Sequence, residues 1–488
     1  MAAREISSSS AYSIGKLAVA SIGFLTVPLY SRFLAPTEFG VLSLAQGGIS
    51  ILGVFVGIWL TSSVVRFFPA LSTEGQLNRM YCATLNGYVV TLVAVVATVG
   101  IGLVSARAIP AMTISWLLPV IGATALTNGG LGIVQCVLRM QHRAWRFVLI
   151  EVGAASLALG LVVIVLVHAD APGRTAAAVV MSRLAGMLLV LLPCAAFGLR
   201  SVTLTDCFRR NTWRLVFEFA LYGFPCAVSS VGGWVLSLSD RYVIGYCHGT
   251  EQVGMYSMGY RLADLSVRLV VTSIAMAMTP TILTHWEAKG EEAASLSVRK
   301  CTKAILALGI PMALGLGILG VRILDVLCTP KYVKAVSVIP WVAAGALLYG
   351  LNSMAYMGLV VAKRSGVNAR NCLVAAGLNL ILNILFVPNY GYEAAAMTTT
   401  ATYGVLLALS AACSWRYLHW PFPWKSGLRF SLAATVMTTI VWWAEQFVPS
   451  TALGLVTLVG LGVLVYGCFL WALGEFGAMR QVKQGIQR

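Results

Sequence analysis

Three charged residues sit where charge is expensive: Arg261, Asp264 and Arg268 lie inside an apolar run, Val253 to Leu283, long enough to cross a bilayer. In a regular helix their spacing of i, i+3 and i+7 places all three on one face. A charge near the bilayer centre costs roughly 2.5–3.5 kcal/mol on insertion scales, so such residues turn toward a bundle interior or a water-filled cavity and mark a pathway. Two guanidinium groups against one carboxylate fit an anionic group on that pathway. The competing reading is a ladder of ion pairs, Arg261 to Asp264 and Asp264 to Arg268, that only holds helices together.

The elements that position such a face must be membrane helices. Apolar residues make up 59% of the 488 and charged residues 10%, with a mean hydropathy of +0.85, whereas about a quarter of a soluble domain is charged. At about 20 apolar residues per span, the chain has room for about fourteen spans and no soluble domain beside them. Hydropathy and breaks place them at 12–34, 39–65, 81–105, 113–137, 147–168, 174–199, 214–238, 253–284, 301–327, 336–362, 371–388, 391–415, 428–448 and 452–473. The polar N-terminus, Met1 to Ser10, lacks a cleavage pattern, so the first span is expected to be a retained anchor. The 11 cysteines show no C-x-x-C and no histidine cluster, and they read as small buried hydrophobes. Neither a metal nor a cofactor is expected.

A net charge of +17 would point to nucleic acid in a soluble protein. Here the basic residues gather in alternate loops, such as Arg139, Arg143 and Arg146, then Lys363, Arg364 and Arg370, then Arg480, Lys483 and Arg488. By the positive-inside rule those loops and both termini are cytoplasmic, and membrane lipids rather than nucleic acid are the partners of the charge.

The sequence also echoes itself. Arg32-Phe33 followed by Thr37-Glu38-Phe39-Gly40 returns as Arg241-Tyr242 followed by Thr250-Glu251-Gln252-Val253-Gly254, and Ala176-Ala177-Ala178 with Gly186 returns as Ala394-Ala395-Ala396 with Gly404. Gly40 to Gly254 and Ala176 to Ala394 give nearly the same offset, which spans an even number of helices. The fold class expected is therefore all-α: two parallel, pseudo-symmetric lobes of six helices plus a C-terminal pair, a transporter architecture. The lobes cover 1–211 and 212–417, and residues 418–488 hold the appended pair and tail.

Motifs at helix ends carry a resemblance. Phe224-Pro225, Asp240-Arg241-Tyr242-Val243-Ile244-Gly245, Val253-Gly254-Met255-Tyr256-Ser257 and Tyr260-Arg261-Leu262 look like the polysaccharide flippases of the multidrug/oligosaccharidyl-lipid/polysaccharide superfamily. So do Pro28 to Gly40 and, later, Asn379-Leu380-Ile381-Leu382-Asn383 and Gly391 to Ala395. The resemblance implies alternating-access movement of an undecaprenyl-diphosphate-linked oligosaccharide from the cytoplasmic to the outer leaflet of a bacterial inner membrane. That step would feed surface or exopolysaccharide biosynthesis, alongside polymerase and export machinery. It also implies a cationic cavity, whose matching positions are Lys16, Arg32, Arg66, Arg241, Arg261 and Arg268. An Arg fork suits diphosphate oxygens.

Each candidate has a plainer alternative. Lys16 and Arg66 lie near span ends, where long side chains snorkel. Arg183 is deep enough in its span to need a partner, and Arg241 can pair with Asp240 beside it. Glu38 and Glu251 recur as gate-loop candidates, yet acids near helix N-termini also serve the dipole. Asn352, Asn379 and Asn383 offer hydrogen bonds to sugar hydroxyls or act as helix-to-helix glue. Asp264 is the candidate coupling acid, although two flanking arginines would keep it ionised. The rival functions are a drug or cation antiporter of the same superfamily, which should carry acids on its central helices, and a non-enzymatic export subunit. An enzyme is not expected, since no P-loop, D-x-D or large loop is present.

Overall fold

The computed structural model describes residues 2–108, 117–170, 173–199 and 203–475; the side chains of 2–14, 16, 17, 106–108, 199 and 204 lie outside that description. All regular structure among the described residues is helical. This follows from composition: in hydrocarbon each backbone N–H and C=O must be bonded within its own segment, which a helix achieves alone. The first helices are α1 (Ala2–Phe33), α2 (Pro36–Thr73), α3 (Leu77–Ala108), α4 (Leu118–Met140), α5 (Ala144–His168) and α6 (Ala176–Leu199). After a short turn at Leu204–Cys207 comes a helical stretch of 118 residues, Arg210–Leu327. Gly249 (φ 80°) and Gly290 (φ 77°) break it into α7 (210–248), α8 (250–289) and α9 (291–327). Next is α10 (Pro330–Val361), and Gly391 (φ 68°) divides Ser365–Ser414 into α11 (365–390) and α12 (392–414). The series ends with α13 (Trp424–Glu445) and α14 (Ala452–Ala472). Glycine stands at all three breaks because a Cβ is not tolerated at those dihedrals.

Where the sequence suggests loops at 239–252 and 285–300, the helices instead run on and reverse at one glycine. Nine helical stretches are long and apolar enough to cross a membrane among the described residues, with Arg210–Leu327 and Ser365–Ser414 each counted once. α13 is less apolar, but it exposes Trp424 near one end and Trp442 and Trp443 near the other. At 1.5 Å per residue these girdles stand about 27 Å apart, close to the hydrocarbon thickness of about 30 Å.

Two compact units emerge, Met1–Trp234 and Val235–Arg488, and the division falls within α7. In the first, Trp59, Leu60 and Val64 of α2 pack with Met80 and Ala83 of α3, Cys136 of α4, and Leu215, Phe219 and Ala227 of α7. α7 approaches α2 so closely at Gly223 that a Cβ there would stand 2.1 Å from the Trp59 carbonyl oxygen. The Ser63 hydroxyl seals this crossing by donating to the Phe219 carbonyl at 2.8 Å. The segment before α7 is pinned to α3, where Asn78 donates to Asp206 (2.6 Å) and Asn86 to the Cys207 carbonyl (2.7 Å). Arg214 pairs with Glu218 at 3.6 Å along an exposed turn.

In the second unit α9 is fastened to the α13–α14 pair along its length. Arg322 donates to the carbonyls of Glu445 and Val448, both at 2.8 Å, and Tyr466 donates to the Ala307 carbonyl at 2.8 Å. At the other end Lys303 and Arg429 both meet Glu475, which is 2% exposed. Burial pushes the Glu475 carboxyl up, but the bonds from Lys303 and Arg429 outweigh it and hold the group below its ordinary value.

Candidate functional site

α8 is not a regular helix through its charged stretch. Asp264–Arg268 forms a π turn, a wider turn that lags behind the α-helical rotation by about one residue, roughly 100°. Arg261 and Arg268 therefore do not share the single face that the i, i+7 spacing implies. Arg268 keeps its pair with Asp264 at 3.2 Å, and its guanidinium lies 4.3 Å from the centre of the Tyr349 ring. Tyr349 reaches it because its neighbour Gly350 lets α10 press on α8; a Cβ at Gly350 would stand 2.6 Å from Val271. The Tyr403 ring of α12 stacks on Tyr349 edge to face at 5.4 Å.

These side chains surround a hollow lined by Tyr260, Asp264, Arg268, Tyr349, Thr399 and Tyr403, together with Gly345 and Ala346. Arg261, half-buried one turn earlier, does not line it. The hollow is narrow, with room for about one water-sized group. In this conformation it admits a single hydroxyl or the edge of a ring, not a headgroup. Chemically it offers a guanidinium held by a carboxylate, aromatic walls and hydroxyls, a mixture suited to a polar organic group, with the outer edge of the guanidinium open to an anion.

A second buried constellation lies along α7 and α8. Asp240, 1% exposed, accepts hydrogen bonds from the Arg241 backbone N–H (2.8 Å) and the Tyr256 hydroxyl. The Arg241 guanidinium lies 5.1 Å from the Tyr260 ring centre. Arg241 is thus aimed at an aromatic face, and the buried acid beside it is spent on backbone and phenol. Sequence reading treats Asp240 as a neighbour of Arg241 at a loop; the helix that continues to 248 is what buries it.

The asparagines separate into two groups. Asn379 and Asn383 are fully buried between α11 and α12, with Asn379 donating to Thr399 (3.2 Å) and Thr402 (3.1 Å). Asn383 donates to Asn379 (3.0 Å) and accepts from Thr398 (2.8 Å), which closes a network internal to the two helices. Asn352 of α10 is 6% exposed and its Oδ1 has no hydrogen-bond partner.

In the first unit, Arg32 and Arg66 are exposed and Arg183 is half-buried. The Lys16 side chain lies outside the described residues, as does the basic tail from Phe476 onward. Glu38 accepts the Ala176 backbone N–H at 2.7 Å and so caps the start of α6. Glu251 is exposed, and its neighbour Gln252 comes nearest to the start of α12, with Oε1 3.3 Å from where a Gly391 Cβ would be. The offset between Gly40 and Gly254 maps Glu38 onto Gln252 rather than Glu251, a signal present in the sequence. Tyr349, Tyr403 and Thr399 carry no comparable signal, because a tyrosine or threonine in an apolar helix reads as ordinary packing.

The described residues are all helical, with stretches long and apolar enough to cross a membrane and with Arg241, Arg261 and Arg268 half-buried on them. The pattern of the polysaccharide biosynthesis protein family matches residues 7–286, more than half of the chain, and the chain belongs to that family. The MatE pattern matches 225–385. Over 300 residues the chain is 25% identical to Agl15, the Haloferax volcanii protein named for a low-salt glycan biosynthesis flippase, covering 60% of this chain and 61% of that one. It thus spans about three fifths of that relative. A lipid II flippase MurJ in an inward closed conformation superposes with a TM-score of 0.77 at 15% identity, over 95% of this chain and 98% of the other. An inward-facing multidrug resistance MATE family transporter of the MOP superfamily gives 0.62 at 15% identity, over 81% and 93%. At these identities the likeness is one of fold.

Proposed function

We propose that the chain is an alternating-access flippase that carries an undecaprenyl-diphosphate-linked oligosaccharide from the cytoplasmic to the outer leaflet of a bacterial inner membrane, for surface or exopolysaccharide biosynthesis. The observation that carries this reading is Arg268, an arginine inside an apolar helix, presented by Asp264 and the Tyr349 ring to a polar hollow. A guanidinium so oriented keeps one edge for an anion, and a lipid diphosphate is the anion that a membrane-embedded glycan carrier brings. Membership of the polysaccharide biosynthesis family supports the same cargo. Arg261 and Arg241 in one unit, and Lys16, Arg32, Arg66 and Arg183 in the other, complete the proposed cationic path. Fourteen crossings with both termini cytoplasmic, two parallel lobes with boundaries near 211 and 417, a non-enzymatic role, and work beside a polymerase and export machinery belong to the same proposal. Deleting the gene in its host and analysing lipid-linked intermediates tests it: oligosaccharide lipids should accumulate on the cytoplasmic side. Normal glycan export without such accumulation refutes it.

A second reading is a drug or cation antiporter, favoured by one observation: Asp240 is a buried acid within the MatE-matching residues. It predicts cation-dependent efflux from loaded vesicles that Asp240→Asn abolishes. The flippase reading predicts no such efflux.

A further inference from the structure

Tyr403 carries a hydroxyl that the fold does not use. The residue is 3% exposed, and its Oη has no hydrogen-bond partner. Its polar neighbours are Ser237 and Tyr260. A buried, unbonded hydroxyl works against stability, and phenylalanine would fill the same volume without it. The residue forms part of the wall of the hollow that Asp264, Arg268 and Tyr349 also line. The threonine hydroxyls there are already engaged: Thr399 accepts from Asn379, and Thr400 donates to the Trp341 carbonyl. Among the polar functions left for a ligand are the Tyr403 hydroxyl and the part of the Arg268 fork not turned on Asp264.

We infer that the hollow reads one hydroxyl of the sugar attached directly to the lipid diphosphate, with Tyr403 as a specificity-determining residue. This rests on the flippase reading and deepens it. A hydroxyl fits where a phosphate does not, because the space admits about one water-sized group. The charge of Arg268 is countered by Asp264 at 3.2 Å, so the interior of the hollow is close to neutral. A phenol donates and accepts, which complements a sugar hydroxyl that does the same. The Tyr349 and Tyr403 rings supply apolar faces beside it for the C–H edges of a pyranose. The geometry also suits the cargo's covalent order, in which the first sugar lies next to the diphosphate: the outer edge of Arg268 takes the anion and the hollow behind it takes one hydroxyl of the neighbouring sugar.

The test measures binding of undecaprenyl diphosphate, bare and carrying one glucose or one galactose, to the full-length protein in nanodiscs. Wild type, Tyr403→Phe and Arg268→Ala are compared, with a melting temperature for each. One hexose-bearing lipid should bind wild type roughly three- to tenfold more tightly than the bare lipid. Tyr403→Phe should erase that gain, leave bare-lipid binding unchanged and melt at the same or a higher temperature. Arg268→Ala should weaken all three lipids. The inference is overturned if neither hexose adds affinity, if the gain survives in Tyr403→Phe, or if that variant weakens bare and hexose-bearing lipid alike. Should bare lipid bind wild type and respond to Arg268→Ala while those outcomes hold, the flippase reading stands and the sugar subsite alone falls. Failure of every lipid to bind wild type removes both.

Discussion

Replacing Arg268 by alanine separates a functional charge from a structural one, because the two roles differ in magnitude. Within the fold Arg268 makes one bond, 3.2 Å to Asp264, and one ring contact, 4.3 Å to Tyr349. The two side chains are 23% and 35% exposed, so the pair is intermediate between a surface and a buried bridge. An i, i+4 pair of this kind contributes about 0.2–0.5 kcal/mol and the cation–π contact about 0.5–1 kcal/mol. A loss near 1 kcal/mol is small beside a typical stability of about 5–15 kcal/mol. If the same guanidinium holds a diphosphate, its charge-assisted bonds are worth about 1.5–3 kcal/mol, and binding weakens roughly ten- to a hundredfold. Arg268→Lys should recover only part of this, since an ammonium keeps the charge and loses the fork. The assay is glycan export together with the amount of folded protein in the membrane, for Arg261→Ala, Arg268→Ala and Arg268→Lys. Lost export with retained protein is the expected result. Normal export at normal protein level refutes the cavity, and parallel loss of export and protein shows that the pair is a structural ladder.

Gly223→Ala should lower the melting temperature by an overpacking cost of about 1–3 kcal/mol, because its Cβ meets the Trp59 carbonyl, whereas Gly233→Ala meets nothing within 4 Å and should be neutral. Reporter fusions after Gly391 and after Arg480 should report opposite sides of the membrane; the same side would end the fourteen-span topology. Glu475, held below its ordinary value of 4.5 by Lys303 and Arg429, contributes its full stability above that value and loses it as pH falls through the lower folded value. Glu475→Gln should therefore reduce thermal stability at neutral pH and narrow the gap from wild type in acid, and a pH-independent gap would contradict the pairing.

Much of the architecture was legible because membrane helices obey one strong rule, that apolar length sets the span. The all-helical class follows from hydropathy, whereas the breaks at Gly249 and Gly290 lie where the sequence suggests only loops. Periodicity could not show that these helices continue past the bilayer, since polar helical extensions look like loops in a hydropathy profile. The site was half legible. Arg268 and Asp264 announce themselves because charge in an apolar run is costly. The π turn that divides Arg261 from Arg268 leaves no sequence mark, and the three tyrosines around the hollow are brought together by tertiary packing at Gly350 that no local pattern encodes. Asn379 and Asn383 show the opposite limit: the residue type was noticed, but only the partners Thr398, Thr399 and Thr402 say what the amides do.

The two π turns bear on how the proposed repeat acquired a site. α2 carries one at Val54–Ile58 and α8 carries one at Asp264–Arg268, each in the second helix of its half. The backbone irregularity is thus present in both halves, while the chemistry is not: Val54, Phe55, Val56, Gly57 and Ile58 are apolar or small where α8 places Asp264 and Arg268. The same division holds at the second helix's start, where Glu38 caps α6 with a carboxylate and the equivalent Gln252 is neutral. A π turn widens the helix and re-aims the residues after it, so it is a geometric device that either half can use. Charge placed on it in one half alone makes the site asymmetric. Function therefore cannot be read from one half by copying the other, and moving the pair to the first unit, with Val54→Asp and Ile58→Arg in a chain lacking Asp264 and Arg268, should not restore export. Restoration would mean that the turn suffices and that the tyrosine-lined hollow of the second unit is dispensable.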